Sequence, residues 1–243
     1  MKKFITSVSI LIAGALTLSA QQTITSTDIE TIQNANWNWT PAGTNAKGKA
    51  YAEAGYAQVN VFGGIQSISV VRYPAKRYKT DIFTSNGKDA DVTSALAKKA
   101  GATIAINASY FSGELGPVTY VKDEGIECGY AKEIEHYRMR GMLMFSKNGK
   151  KMDIATVEPE DYTKATSKYP EAIISGPILM ENGKIINYEG KIEKSAWDSF
   201  YGVRHPRTIM GYDKKGWFYM IVIDGRSVGN ADGTTIAEIA AVA

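Results

Sequence analysis

Apolar residues along this chain recur mostly with strand rhythm, interrupted by two short helical stretches. From Gly64, the positions Ile65, Ile68, Val70 and Val71 predict a strand that closes near Pro74. Asp91-Val92-Thr93 opens a helix, with Leu96 and Ala100 on its apolar face and Gly101 as its stop. Ala102 to Ile106 is a continuous run of buried type, read as a strand landing on the loop Asn107-Ala108-Ser109-Tyr110-Phe111. Three hairpins follow. Met142 to Phe145 turns through Asn148-Gly149 into Met152 to Ile154, and Ile178 to Met180 turns through Asn182-Gly183 into Lys184 to Ile186. Asn-Gly between apolar runs marks a tight hairpin whose two turn residues both take φ > 0. Thr208 to Tyr212 then joins Trp217 to Ile223 across Asp213-Lys214-Lys215-Gly216, and Thr234-Thr235 caps a helix that begins Ile236-Ala237-Glu238. The whole pattern predicts an α+β fold: a mixed, mostly antiparallel sheet with hairpins and a few packed helices.

The first sixty residues read differently. Lys2 and Lys3 precede a short apolar run, Phe4 to Leu18, and Leu18-Ser19-Ala20 offers a cleavage site, so residues 1–20 are expected to be a signal peptide. The protein is accordingly expected to be exported, periplasmic or secreted. The run falls short of the ~20 residues a spanning helix needs, and no stable membrane span is expected after cleavage. Residues 21–60 are expected to form an N-terminal arm, since up to position 50 the chain is rich in Thr, Asn, Gly and Ala, with Trp37 and Trp39 its only aromatic residues. Residues 61–243 carry the domain itself.

Composition narrows the function classes. At 44% hydrophobic, the chain can bury a real core. The formal charge of +3 owes two units to Lys2 and Lys3, so nothing favours a nucleic-acid partner. Cys128 is the only cysteine, which leaves the fold to packing without an internal disulfide. His136 and His205 share no metal-ligand spacing with each other or with Cys128, so no zinc site and no cofactor is predicted, a divalent metal staying open.

Candidate chemistry gathers in three places. Arg204-His205-Pro206-Arg207 precedes one strand of the third hairpin and Asp224-Gly225-Arg226 follows the other, which should bring Arg207 and Asp224 together at the outer ends. Such a pair is either a plain surface ion pair or a phosphate-binding arginine beside a working carboxylate. Gly225 permits an unusual backbone, and the helix start at Thr235 presents free amides to an anion. Asn107 ends a buried-type run, as a turn former or as a ligand-binding side chain. Ser175-Gly176-Pro177 allows close approach between backbone and ligand at Gly176. Cys128 reads as a small bystander and Asp123-Glu124-Gly125 as a turn.

These blocks carry a resemblance. Asn107 to Phe111, Ser175 to Leu179 with Asn182-Gly183, Pro206 to Gly211, and Asp224-Gly225 with Thr235 to Glu238 resemble, in order and spacing, the phosphodiester glycosidase family across roughly residues 65–243. The resemblance implies hydrolysis of a sugar-1-phosphodiester of N-acetylglucosamine type, releasing the sugar and leaving a phosphomonoester. It implies that Arg207 holds the phosphate, with Asn107, Gly225, Ser175 and Gly176 completing the binding site. Asp224 is the expected catalytic carboxylate and Glu238 the second choice, though Glu238 reads equally as an ordinary first-turn helix acid. Phosphate leaves so readily that a single carboxylate would suffice. The family continues past this last helix to a strand and an Asp-Gly-Gly-Gly-Ser block not found here, so the domain is expected to be incomplete at its C-terminal end. The expected partner is a phosphorylated glycan. Two other functions stay open: a non-catalytic envelope protein binding glycans or proteins, and a phosphodiesterase cutting the P–O bond.

Overall fold

The computed structural model describes residues 24–44, 50–84, 91–111, 117–128 and 141–243. The predicted signal peptide and His136 lie outside them. In chain order the elements are helix α1 (Ser26–Gln33), strands β1 (Asn38–Thr44), β2 (Ala50–Val61) and β3 (Gly64–Pro74), and helix α2 (Thr93–Lys99). Strands β4 (Val121–Asp123), β5 (Ile126–Cys128), β6 (Gly141–Phe145) and β7 (Met152–Ala155) follow, then the single turn α3 (Tyr162–Ala165). Next come β8 (Glu171–Ser175), β9 (Met180–Glu181), β10 (Lys184–Ile185), the turn α4 (Lys194–Ala196), β11 (Arg207–Tyr212), β12 (Trp217–Ile223) and helix α5 (Ile236–Val242).

Two five-stranded sheets organise the chain, in the orders β1-β2-β3-β12-β11 and β5-β4-β8-β6-β7, beside the small β9–β10 ribbon. Every paired strand is antiparallel. One face of the first sheet buries Ala57, Val59, Ile68, Ile221 and Ile223 against Ile32 of α1 and Ile239 of α5. Its other face buries Ala52, Tyr73, Phe218 and Met220 against Phe145 and Met152 of the second sheet. This α/β/β layering follows from strand alternation, because successive side chains supply opposite cores. The fold class expected from the sequence is the one observed.

The stretch expected as an arm supplies α1, β1 and nearly all of β2, and β2 is an internal strand of the first sheet. Thr25 and Asp28 close α1 with a reciprocal capping box, and Asp28 Oδ1 accepts 2.8 Å from the amide of Phe62. That amide sits in the β2–β3 turn, where Phe62 and Gly63 take φ of 56° and 67°. A phenylalanine in the left-handed region costs about 1 kcal/mol or more, which the surrounding bonds must offset.

The hairpins occur where the pattern places them, with one change of turn. Asn182 and Gly183 take φ of 52° and 76°, as a type I′ turn requires. At the other Asn-Gly only Gly149 is left-handed, and its amide donates 2.7 Å to the Ser146 carbonyl in a longer loop. Gly149 also lies against the 79–84 segment, where an added Cβ would come 2.3 Å from the Thr80 carbonyl oxygen. Ala102 to Ile106 forms no strand. Ile104 and Ile106 pack inward while Ala102, Thr103 and Ala105 are exposed, so the run has an apolar side without cross-strand bonds to fix it. Helix α2 buries none of its residues, and Ala100 is exposed.

Candidate functional site

A cleft of about 2810 Å³ runs along the inter-sheet side, from the 79–84 segment to the edge formed by β11. Three of the four sequence blocks meet on its wall. Thr208, on β11, donates from Oγ1 to Asn107 Oδ1 at 2.8 Å, fastening the 107–111 loop beside the strand. Tyr110 of the same loop sets its hydroxyl over Gly176, where an added Cβ would stand 3.3 Å away. Gly176 in turn accepts 3.0 Å from the Gly141 amide through its carbonyl, which keeps Ser175-Gly176 continuous with the second sheet. Ser109, between Asn107 and Tyr110, takes φ of 64° and its hydroxyl bonds that of Thr119. A strained non-glycine residue held by its neighbours at a cleft wall is the kind of place where function is sought.

Arg207 is there too, but not as expected. It is buried; its Nε donates 3.0 Å to the Thr234 carbonyl, and Nη2 donates to the carbonyls of Phe200 and Val203 at 2.7 and 3.0 Å. The Phe200 ring lies 4.7 Å beneath the guanidinium. The forked Nε–Nη2 edge expected to grip phosphate is thus engaged with backbone. Asp224 does not face it. Arg207 pairs in register with Ile223, so the two share one face of the hairpin, and alternation turns Asp224 to the other. Asp224 is exposed and its amide donates 3.0 Å to the Ser67 carbonyl.

The fourth block joins the others through the Arg207–Thr234 bond and through backbone pairing. His205 and Thr234 exchange amide–carbonyl bonds of 3.1 and 3.0 Å. A Cβ on Gly225 would come 2.5 Å from the Pro206 nitrogen, so only glycine lets these segments approach. Glu238 is buried at 3% exposure and takes the capping-box role: the Thr235 amide donates to it at 2.9 Å, and Thr235 Oγ1 receives the Glu238 amide at 3.2 Å. Arg204 then donates to both carboxylate oxygens, 2.9 Å from Nη2 and 3.3 Å from Nε. Neither Asp224 nor Glu238 lines the cleft.

Arg204 was passed over in the sequence, where only its place in Arg-His-Pro-Arg marked it. It also donates to the Phe62 carbonyl, so one side chain ties α5 to the strained β2–β3 turn. Asp232 completes this corner. Its Oδ2 accepts 2.7 Å from Ile65 and Oδ1 accepts 3.0 Å from Gly229, and these amide bonds hold its carboxyl below the usual range. His205 is within 3.2 Å of the Ser199 carbonyl, so Nε2 carries the proton there. Burial pushes the Cys128 thiol up, which fits an inert bystander. Among the described residues no group of three His, Cys, Asp or Glu could hold a metal, and no helix is long and apolar enough to cross a membrane.

Comparison with known proteins agrees with this layout. The profile of the phosphodiester glycosidase family matches residues 100–243, a span holding all four blocks. No curated protein matches the chain. A hypothetical protein from Synechocystis, solved by crystallography, superposes with a TM-score of 0.54 at 13% identity, over 79% of this chain and 54% of that one. The likeness is one of fold, and the chain spans about half the length of that structure. A Burkholderia pseudomallei K96243 protein whose name calls it exported overlaps at a TM-score of 0.24 and 12% identity, over 82% of this chain and 47% of that one, which carries no argument.

Proposed function

Given that the chain belongs to the phosphodiester glycosidase family, we propose that it acts on sugar-1-phosphodiesters of N-acetylglucosamine type in exported glycans, in the periplasm or outside the cell. The supporting observation is the convergence of the Asn107, Gly176 and Thr208 blocks on one cleft wall, held by the Asn107–Thr208 bond. Asn107, Ser175 and Gly176 stand there to meet sugar hydroxyls or phosphate oxygens. Arg207 contributes a fixed positive charge that draws the diester to this wall while its donors hold three carbonyls in place. Water would attack the anomeric carbon, the C–O bond to phosphate would break, and a phosphomonoester would leave without full protonation. Of the two carboxylates Asp224 is the one left to activate that water, because Glu238 is committed to Arg204 and the α5 cap, and it would have to reach the substrate from the hairpin face opposite Arg207.

Both carboxylates stand off the cleft, which favours a second reading: a protein of this fold that binds phosphorylated glycans without turnover. Incubation with a GlcNAc-1-phosphodiester in ¹⁸O water separates the possibilities. Label in the released sugar is the expected result, and its loss in Asp224→Asn would assign the carboxylate. Label in phosphate would mean P–O cleavage. Saturable binding with no product would favour the glycan-binding protein.

A further inference from the structure

At the far end of the cleft from Arg207, the segment 79–84 crosses the tip of the β4–β5 hairpin, and the carboxyl groups of Glu171, Asp81 and Asp123 converge there. Glu171, the first residue of β8, is 4% exposed. Its Oε1 accepts 3.0 Å from the Glu124 amide in the β4–β5 turn. Its Oε2 is buried and has no donor. Asp81, from the crossing segment, is within hydrogen-bonding reach of that carboxyl, and Asp123 of β4 faces the same point. Lys79 pairs with Asp81 and lies more than half exposed. A carboxylate with one oxygen buried and without a donor, facing two others at this depth, is stabilised by carrying a proton.

The segment is otherwise tied at its two ends. The Thr80 amide donates 3.0 Å to the Gly149 carbonyl, and the Tyr73 hydroxyl bonds Thr80 Oγ1. Asp123 Oδ2 receives the Thr84 amide at 3.0 Å and its hydroxyl at 2.8 Å. Between these ties, Asp81 meets Glu171, while Ile82 packs against the core shared with Phe145 and Met152. We propose that residues 79–84 form a strap held on the β4–β5 turn by a proton shared between Glu171 and Asp81, so that the cleft wall is closed in acid and loosens as that proton leaves. Burial and the neighbouring Asp81 and Asp123 push the Glu171 carboxyl up to about 7, which puts the release near neutrality. Once Glu171 ionises, it meets the carboxylates of Asp81 and Asp123, and their repulsion loosens the strap.

This device is independent of the proposed glycosidase chemistry, and its test needs no substrate. Amide exchange at Thr80 and Thr84, corrected for intrinsic pH dependence, should show protection falling about tenfold in the wild type between pH 5.5 and 8.5. Glu171→Gln keeps a donor toward Asp81 at every pH and should remain protected throughout. A wild-type profile that stays flat overturns the proposal, as does a fall of equal size in Glu171→Gln. Should that variant not fold, Asp81→Asn supplies the same comparison, and a fall as large as in the wild type would again sink the idea.

Discussion

Glu238 and Glu171 are buried almost equally, at 3% and 4% exposure, yet the fold treats them in opposite ways. Glu238 receives an amide from its own helix cap and two bonds from Arg204. Glu171 receives a single amide and looks onto other carboxylates. Depth therefore does not set the state of a buried acid; the donors waiting for it do. The first is a fixture paired with Arg204 at the corner where α5 meets the β2–β3 turn, and the second stores a proton.

Removing the fixture should do the most damage. Glu238→Ala would strip the cap and strand the partly buried Arg204, lowering stability by about 3–4 kcal/mol in denaturant titrations. A loss under 1 kcal/mol would mean that Arg204 simply relaxes into water. Next in size is a pH effect at the other glutamate. Its carboxyl is raised in the folded state, so its stabilising contribution is complete below its unfolded value of 4.5 and is lost as pH rises through about 7. Glu171→Gln should match the wild type near pH 5 and exceed it by about 2 kcal/mol at pH 8.5. Equal stability at both pH values would place the proton elsewhere. Smallest is Thr235→Ala, which leaves the Arg204 pair intact and should cost about 1 kcal/mol, independent of pH from 6 to 9. A cost as large as that of Glu238→Ala would show that the cap, and not the ion pair, dominates this corner.

The same contrast explains what the sequence conveyed. Local signals with a single physical meaning read well: Asn182-Gly183 demanded a left-handed pair, and Thr235 with Glu238 spelled a capping box. Ala102 to Ile106 read poorly because an apolar run shows burial on one side without naming a partner for its backbone. The Arg207 side chain was taken for an exposed clamp because register told where its Cα lies, and the carbonyls of Phe200, Val203 and Thr234 that claim its donors come from separate loops. The β2–β3 hairpin hides a left-handed Phe62 that no turn preference suggests; it is held by Asp28 and Arg204 from far along the chain. Glu171 did leave a trace, as an acid opening the apolar run Ala172-Ile173-Ile174 directly after Pro170. An acid at the mouth of a buried strand is a signal worth testing for a raised proton affinity.

The strand order of the first sheet also has a history in time. β3 pairs with β2 immediately, but its other edge, Gly64–Pro74, finds β12 only when Trp217–Ile223 exists. At a synthesis rate of about 5–20 residues per second, that edge waits roughly 10–30 s, with its main-chain donors and acceptors open to any passing strand. The early ribbon must therefore either stay attended by a chaperone or remain unfolded until the last fifth of the chain arrives. Slow, late-closing folding of that kind would suit the export proposed for this chain, because threading through a membrane needs a chain that is not yet compact.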